Sequence, residues 1–219
     1  MTVYELYYKF KLLYNKNNES KEINIPIEHF VILYNKEGES WLADYIRTHK
    51  HNSEIFKINE LISSDVELKE ISKNRERAEY SLPEDFFDII PGTIVSNVSN
   101  CTGKIFNRLY KNEDLNSVLS NQFLKPSSKW QRGVARLANN KVTIYLNDFS
   151  VSKTFISYYK KLKPIDVAGY ITINNVASSD EGTTYSDFIA NEILDRVVTE
   201  VHREFSDQLA FQLSKDREI

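Results

Sequence analysis

The sequence predicts an α+β fold: long N- and C-terminal helices packed together, with a central antiparallel β-sheet or β-hairpin insertion between them. Three observations carry this expectation. Apolar residues recur at steps of three and four over residues 27–46 and again over 189–209, the spacing of one helix face. Between these segments, runs rich in β-branched and aromatic residues are broken by the turn-forming pairs Thr102-Gly103 and Asn139-Asn140. A length of 219 residues is enough for one good core with an insertion or an arm.

Along the chain, Thr2-Val3-Tyr4-Glu5 has the form of a capping box, in which a hydroxyl and a carboxylate satisfy free backbone donors at a helix start. A helix over about 3–14 follows. The polar, Asn-rich stretch 15–24 reads as a linker, so residues 1–24 form a helix and tether ahead of one larger domain over 25–219. Ile27, Phe30, Val31, Tyr34, Trp41, Leu42, Tyr45 and Ile46 define a long amphipathic helix, 27–49. Gly38 falls on its apolar stripe, where the missing side chain costs about 1 kcal/mol against Ala but admits a close neighbour. Ile55, Ile58, Leu61 and Ile62 predict a shorter helix over 54–63.

The charged stretch 67–79 reads as solvated strand or loop and opens a mainly β insertion over about 67–172. Strands are expected at 93–101 with 104–110, and at 133–138 with 141–146, each pair flanking one of the two turns. Asn112-Glu113-Asp114-Leu115 opens a short helix between the hairpins. A fifth run, 152–160, alternates Thr154, Ile156 and Tyr158 with Phe155, Ser157 and Tyr159. After a polar loop at 172–183, Thr184-Tyr185-Ser186-Asp187 caps the last helix, expected over 186–213. Its stripe, Ile189, Ile193, Val197, Val201, Phe205 and Leu209, keeps a spacing of four and then breaks, leaving Phe211 and Leu213 off the main face. Such side chains are buried by a partner, left in water, or folded back on a nearby loop.

Composition narrows the function classes. Lys and Arg number 28 against 31 Asp and Glu, so the whole chain has no positive excess to offer a phosphate backbone. A lone cysteine, Cys101, builds neither a disulfide framework nor a multi-cysteine zinc site, and its neighbours Asn100 and Thr102 do nothing to activate a thiol. The segment Met-Thr-Val-Tyr-Glu lacks the features of a secretion signal, and no window holds the roughly 18 apolar residues a membrane helix needs. A soluble product of the cytoplasm, without a membrane partner, is the expectation.

Chemistry-bearing patterns are sparse. The six glycines are scattered singly, so no phosphate-cradling loop is predicted. His49 and His51 could clamp a metal with Glu54 as third ligand, but a lysine between them favours an exposed helix end. His29 and His202 are isolated. Glu84-Asp85 and Asp180-Glu181 are adjacent acids, and Leu82-Pro83-Glu84-Asp85-Phe86 suits a helix N-terminus better than a hydrolytic pair. We therefore assign no catalytic residue, no cofactor and no metal ligand, and expect a protein that is not an enzyme. Lys160, Lys161 and Lys163 beside Tyr158 and Tyr159 are the one place where basic and aromatic residues interleave. They read either as a DNA- or acid-facing surface or as a soluble strand end.

Several segments, in their order, resemble the connector proteins encoded near the portal gene of crAss-like and related tailed phages. They are Tyr34-Asn35-Lys36-Glu37 in the early long helix, Ser81-Leu82-Pro83-Glu84-Asp85-Phe86, Asn121-Gln122-Phe123-Leu124-Lys125-Pro126 leading to Trp130, Tyr158 through Val167, and Glu192-Ile193-Leu194-Asp195. Together they span about residues 27–213. Two departures stand out: a Leu-Pro pair usually opens the last helix where Tyr185-Ser186 stands here, and alanine is commoner at Gly38. The resemblance implies a structural virion protein of the neck or tail, made in the host cytoplasm: a ring, typically of twelve copies, bridging the portal protein to the next tail or ring protein, close to packaged DNA. Alternatives are another neck or tail ring that does not touch the portal, or a particle-associated hydrolase. It also implies a C-terminal docking segment, for which Phe205, Leu209, Phe211, Leu213, Arg217 and Ile219 are the candidate portal contacts.

Overall fold

The computed structural model describes residues 1–16, 25–99, 103–169 and 177–215, with Lys16 and 205–215 described by backbone alone. The chain divides into two compact units: a helical one, 1–59 with 162–219, and a β one, 60–161.

In the helical unit, α1 (Val3–Lys16) starts on a reciprocal capping box: the Thr2 amide donates to Glu5 Oε2 at 2.8 Å and the Glu5 amide to Thr2 Oγ1 at 3.2 Å. Val3, Leu6, Phe10 and Tyr14 recur at helical spacing and are its buried face. Helix α2 (Ile27–His49) follows Pro26, whose missing N–H is harmless where a helix start has no intrahelical partner for it. Helix α4 (Asp187–Lys215) buries Ile189, Ile193, Val197 and Val201 together with Ala190, Leu194 and Val198. At Gly38 an added Cβ would lie 3.3 Å from Leu162 Cδ1, a tight contact, and 3.7 Å from Ile193 Cδ1 of α4, an ordinary one, so the glycine chiefly makes room for Leu162. Tyr34 Oη donates to the Ala190 carbonyl at 3.2 Å, and Asp44 joins Arg196 at 3.0 Å. Asn35 clamps the chain as it returns from the β unit, donating to the Ile165 carbonyl and accepting the Ile165 amide, both at 2.9 Å. A 3-10 helix (Ser53–Leu61) follows α2.

The β unit is a curled nine-stranded sheet. Its strands are β1 (Ile62–Glu67), β2 (Lys69–Lys73), β3 (Arg77–Ser81), β4 (Phe86–Ile89), β5 (Ile94–Val98), β6 (Lys104–Leu109), β7 (Arg132–Ala138), β8 (Lys141–Tyr145) and β9 (Val151–Lys160). The order is β1-β9-β5-β6-β7-β8-β3-β2, with β4 also paired to β9. All pairs are antiparallel except β6 with β7, which are parallel and joined by a crossover carrying α3 (Asn112–Ser120). β7 and β8 form a tight hairpin on Asn139 and Asn140, both at positive φ (52° and 57°), the backbone an Asn pair supports most readily after glycine. The core gathers Ala78, Tyr80, Ile94, Ala135, Val142, Ile144, Val151 and Ile156 on one side of the sheet. Leu115 and Val118 of α3 cover Val134.

This architecture overturns the expected α+β class. The dominant element is a large mixed sheet, not a pair of terminal helices carrying an antiparallel sheet or hairpin insertion. The 67–79 stretch, polar because β2 lies at an edge, supplies β2 and β3, which extend the sheet beyond β8. No helix follows Leu82-Pro83-Glu84-Asp85-Phe86: the turn runs into β4, and Asp85 accepts a hydrogen bond from Tyr158 Oη at 2.8 Å instead of capping a helix. The helix expected over 54–63 is a 3-10 helix with a break at Ile58 (φ −108°, ψ 26°), and Ile62 already belongs to β1.

Two outcomes follow from the helical unit. Val197 has no exposed surface, so Val197→Asp should cost more than about 3 kcal/mol and melt α4, seen as lost helical circular dichroism; an unchanged melting temperature would contradict the packing. Tyr185 Oη donates to Tyr34 Oη at 3.4 Å, and burial pushes the Tyr185 phenol up to about 12 and Tyr34 upward as well. Both phenols hold their protons more tightly when folded than when unfolded, so their stabilisation is complete below about pH 10 and is lost as pH rises through the folded values. Urea unfolding should show that alkaline loss, and Tyr185→Phe should flatten it.

Candidate functional site

Each unit carries an exposed apolar surface. On β6 the side chains alternate, with Ile105 and Asn107 buried and Lys104, Phe106 and Arg108 turned to solvent. The registers place Phe155, Val95, Phe106 and Arg132 in one row across β9, β5, β6 and β7. The crossover between β6 and β7 adds Phe123, Leu124 and Trp130, of which Phe123 is 80% and Trp130 69% exposed. A groove of about 840 Å³ runs here, with Ile94, Phe106, Leu109, Tyr110 and Leu124 as apolar lining and Arg108 and Arg132 as its cations.

The crossover loop is pinned. Asp148 accepts the Ser128 amide at 2.9 Å and the Ser128 hydroxyl at 3.0 Å, and Asn147 Nδ2 donates to the Pro126 carbonyl at 3.2 Å. The exposed aromatics therefore stand on anchored backbone. Beneath the groove a buried polar chain crosses three strands: Ser96 Oγ meets Thr154 Oγ1 at 2.9 Å, and Asn107 Nδ2 donates to Ser96 Oγ at 2.9 Å. Gly133 faces this chain, and a Cβ there would sit 1.9 Å from Asn107 Oδ1, so β7 can approach β6 only with glycine at that point.

On the helical unit, α1 presents Tyr4, Tyr8 and Leu12 at successive turns, with Leu13 beside them; Tyr8 is 65% exposed. Asn191, Leu194 and Asp195 of α4 continue this face past Lys9, and Asp187 and Glu5 border Tyr8. Lys9 Nζ donates to Asn191 Oδ1 at 3.4 Å.

The two surfaces differ in charge. The segment 60–161 holds fifteen Lys and Arg against twelve Asp and Glu, and the rest of the chain thirteen against nineteen, so the β unit is +3 and the remainder −6. Residues 103–141, which build the groove and its crossover, hold eight basic residues against two acidic ones. That local count, together with Lys104, Phe106 and Arg108 at alternate positions, is the sequence signal that could have located the surface. The α1–α4 face has no such signal, because it is composed across 180 residues of sequence.

The described residues singled out from the sequence make local contacts within their own units. Lys163 pairs with Glu181 at 2.7 Å in the helical unit. Lys160 ends β9, and the amide of Lys161 just after it donates to the Asp85 carbonyl at 2.7 Å. Asp180 Oδ1 accepts the Ala168 amide at 2.8 Å and Tyr4 Oη at 3.3 Å, and the Asp180 charge, more than the hydrogen bond itself, raises the Tyr4 phenol above its ordinary value. His49 packs on Tyr45 with ring centres 4.5 Å apart, and His202 stacks on Tyr14 at 4.6 Å. Among the described residues no group of three His, Cys, Asp or Glu is placed to hold a metal ion, and no helix is long and apolar enough to cross a membrane. Cys101, and the side chains of Phe205, Leu209, Phe211, Leu213, Arg217 and Ile219, lie outside the described residues. No protein-family model matches the sequence, and no curated protein matches it.

Proposed function

We propose that this chain is a structural subunit of a tailed-phage particle that assembles into a ring, a head-to-tail connector next to the portal. The observation that carries the reading is the pair of unlike apolar surfaces, one on each unit, each built on anchored secondary structure. A protein that works alone rarely exposes two such surfaces. Unlike surfaces on one chain suit heterologous contact, in which each copy offers one face to one neighbour and the other face to the next, and a rotation that closes gives a ring. The ordered segments that resemble phage connectors support the same reading and name the neck as the place. No reaction is assigned to the chain; its work is to hold neighbours in register.

Native mass measurement of the purified protein, alone and mixed with portal, tests this. The expected result is a closed homo-oligomer, about twelve copies by the resemblance, that gains mass with portal; a monomer that ignores portal rejects the reading. The C-terminal segment is the proposed portal contact, since burying a side chain such as Phe211 against a partner would stabilise docking by about 1.5–3 kcal/mol. Truncation after Gln208 should leave folding intact and weaken portal binding, measured by co-sedimentation. Undiminished binding would remove the tail from the docking surface.

A further inference from the structure

Resting on the ring-subunit reading, we propose that the groove of the β unit is the lateral interface of the ring and receives the α1–α4 face of a second copy of this chain. Charge complementarity selects this occupant. Arg108 and Arg132 line the groove, and Lys104, Lys125 and Lys129 lie on the same strand face or in the crossover. Among the described residues none of these five forms an ion pair. They form a cationic rim that an acidic partner surface would complement. The α1–α4 face offers it: Glu5, Asp187 and Asp195 are exposed around Tyr8, Leu12 and Leu13, and although the Met1 ammonium stands 3.9 Å from Asp187 and Lys9 lies nearby, Glu5 and Asp195 form no ion pair among the described residues.

Shape agrees with charge. Tyr4, Tyr8 and Leu12 form a ridge along one side of a helix, the form that a groove floored by Phe106, Leu109, Tyr110 and Leu124 accepts, with apolar anchors inside and charges at the rim. Exposed aromatics among cations also suit a single-stranded nucleic acid. Nucleic acid would cover the groove and leave the ridge bare, whereas head-to-tail contact between copies covers both surfaces and neutralises both charges. That asymmetry decides for the second copy.

The test uses two charge reversals on exposed residues of the full chain, Arg108→Glu in the groove and Asp195→Lys on the α1–α4 face. Each should keep the wild-type circular dichroism and melting temperature, and each should raise the concentration needed for assembly about tenfold. Mixing the two variants should restore assembly, because in an alternating ring every contact is then wild type or fully swapped. Added salt should weaken wild-type assembly. Phe106→Ala, which removes an apolar anchor without changing charge, should impair assembly at any salt concentration. Wild-type rings unaffected by any of these variants would overturn the interface and leave the ring reading standing, whereas a wild-type chain that neither assembles nor binds portal overturns both. A labelled single-stranded oligonucleotide whose binding is abolished by Arg108→Glu while assembly is unchanged would also overturn the interface, in favour of nucleic acid.

Discussion

The β unit depends on the backbone pairing of one strand, β9. It is the longest in the sheet, and both of its edges are occupied: β1 along one, β5 and β4 in succession along the other. A strand so placed cannot slide without undoing three pairings at once, so its register sets that of its neighbours. Its composition suits the position. Val151, Thr154, Ile156, Tyr158 and Tyr159 are branched or aromatic, and residues 156–159 are buried in sequence, which a strand covered on both faces tolerates and an edge strand does not. The polar members are provided for: Thr154 meets Ser96, Ser157 Oγ accepts the Asp65 amide, and Tyr158 reaches Asp85.

From this strand the arrangement leads outward to the surface. β5 is placed by β9, β6 by β5, and the parallel β7 by β6, so the row ending at Arg132 inherits its alignment from β9. The loop after β8 supplies Asp148, the carboxylate that holds the crossover, and then enters β9. The most exposed aromatics of the unit are thus fixed by its most buried strand, and a surface with little freedom to lose can bind without a large ordering cost.

Much of this was legible in the residues. The Thr2–Glu5 box, the α2 and α4 stripes, the Asn139-Asn140 turn and the short helix at Asn112 are local signals, each readable within a few residues. What was not legible is long-range. Nothing within 93–146 says that its two hairpins stand side by side through a parallel β6–β7 pair, since that contact joins residues separated by the whole crossover. Leu82-Pro83-Glu84-Asp85 has the chemistry of a helix start, but Phe86 finds a free length of β9 to pair with, and tertiary pairing overrides local preference. Ile55, Ile58, Leu61 and Ile62 have helical spacing, yet Ile62 is drawn into the sheet opposite Tyr159. The candidate surfaces were hidden for a related reason: the chain's net charge of −3 averages a basic segment against an acidic remainder, and only the fold reveals which residues stand together.

The helical unit is discontinuous in sequence, its first three helical segments made before the sheet and α4 after it. During synthesis the β unit, continuous from 60 to 161, can close as soon as it has left the ribosome, whereas α1 and α2 must wait about 140 residues, roughly 7–28 seconds at ordinary elongation rates, for the helix that covers them. Over that interval Phe30, Tyr34, Trp41 and Leu42 are without the α4 surface they come to share the core with. Premature encounters between nascent chains would occur through this face rather than through the sheet, so expression at low temperature or with a chaperone that shields apolar helices would benefit the helical unit first.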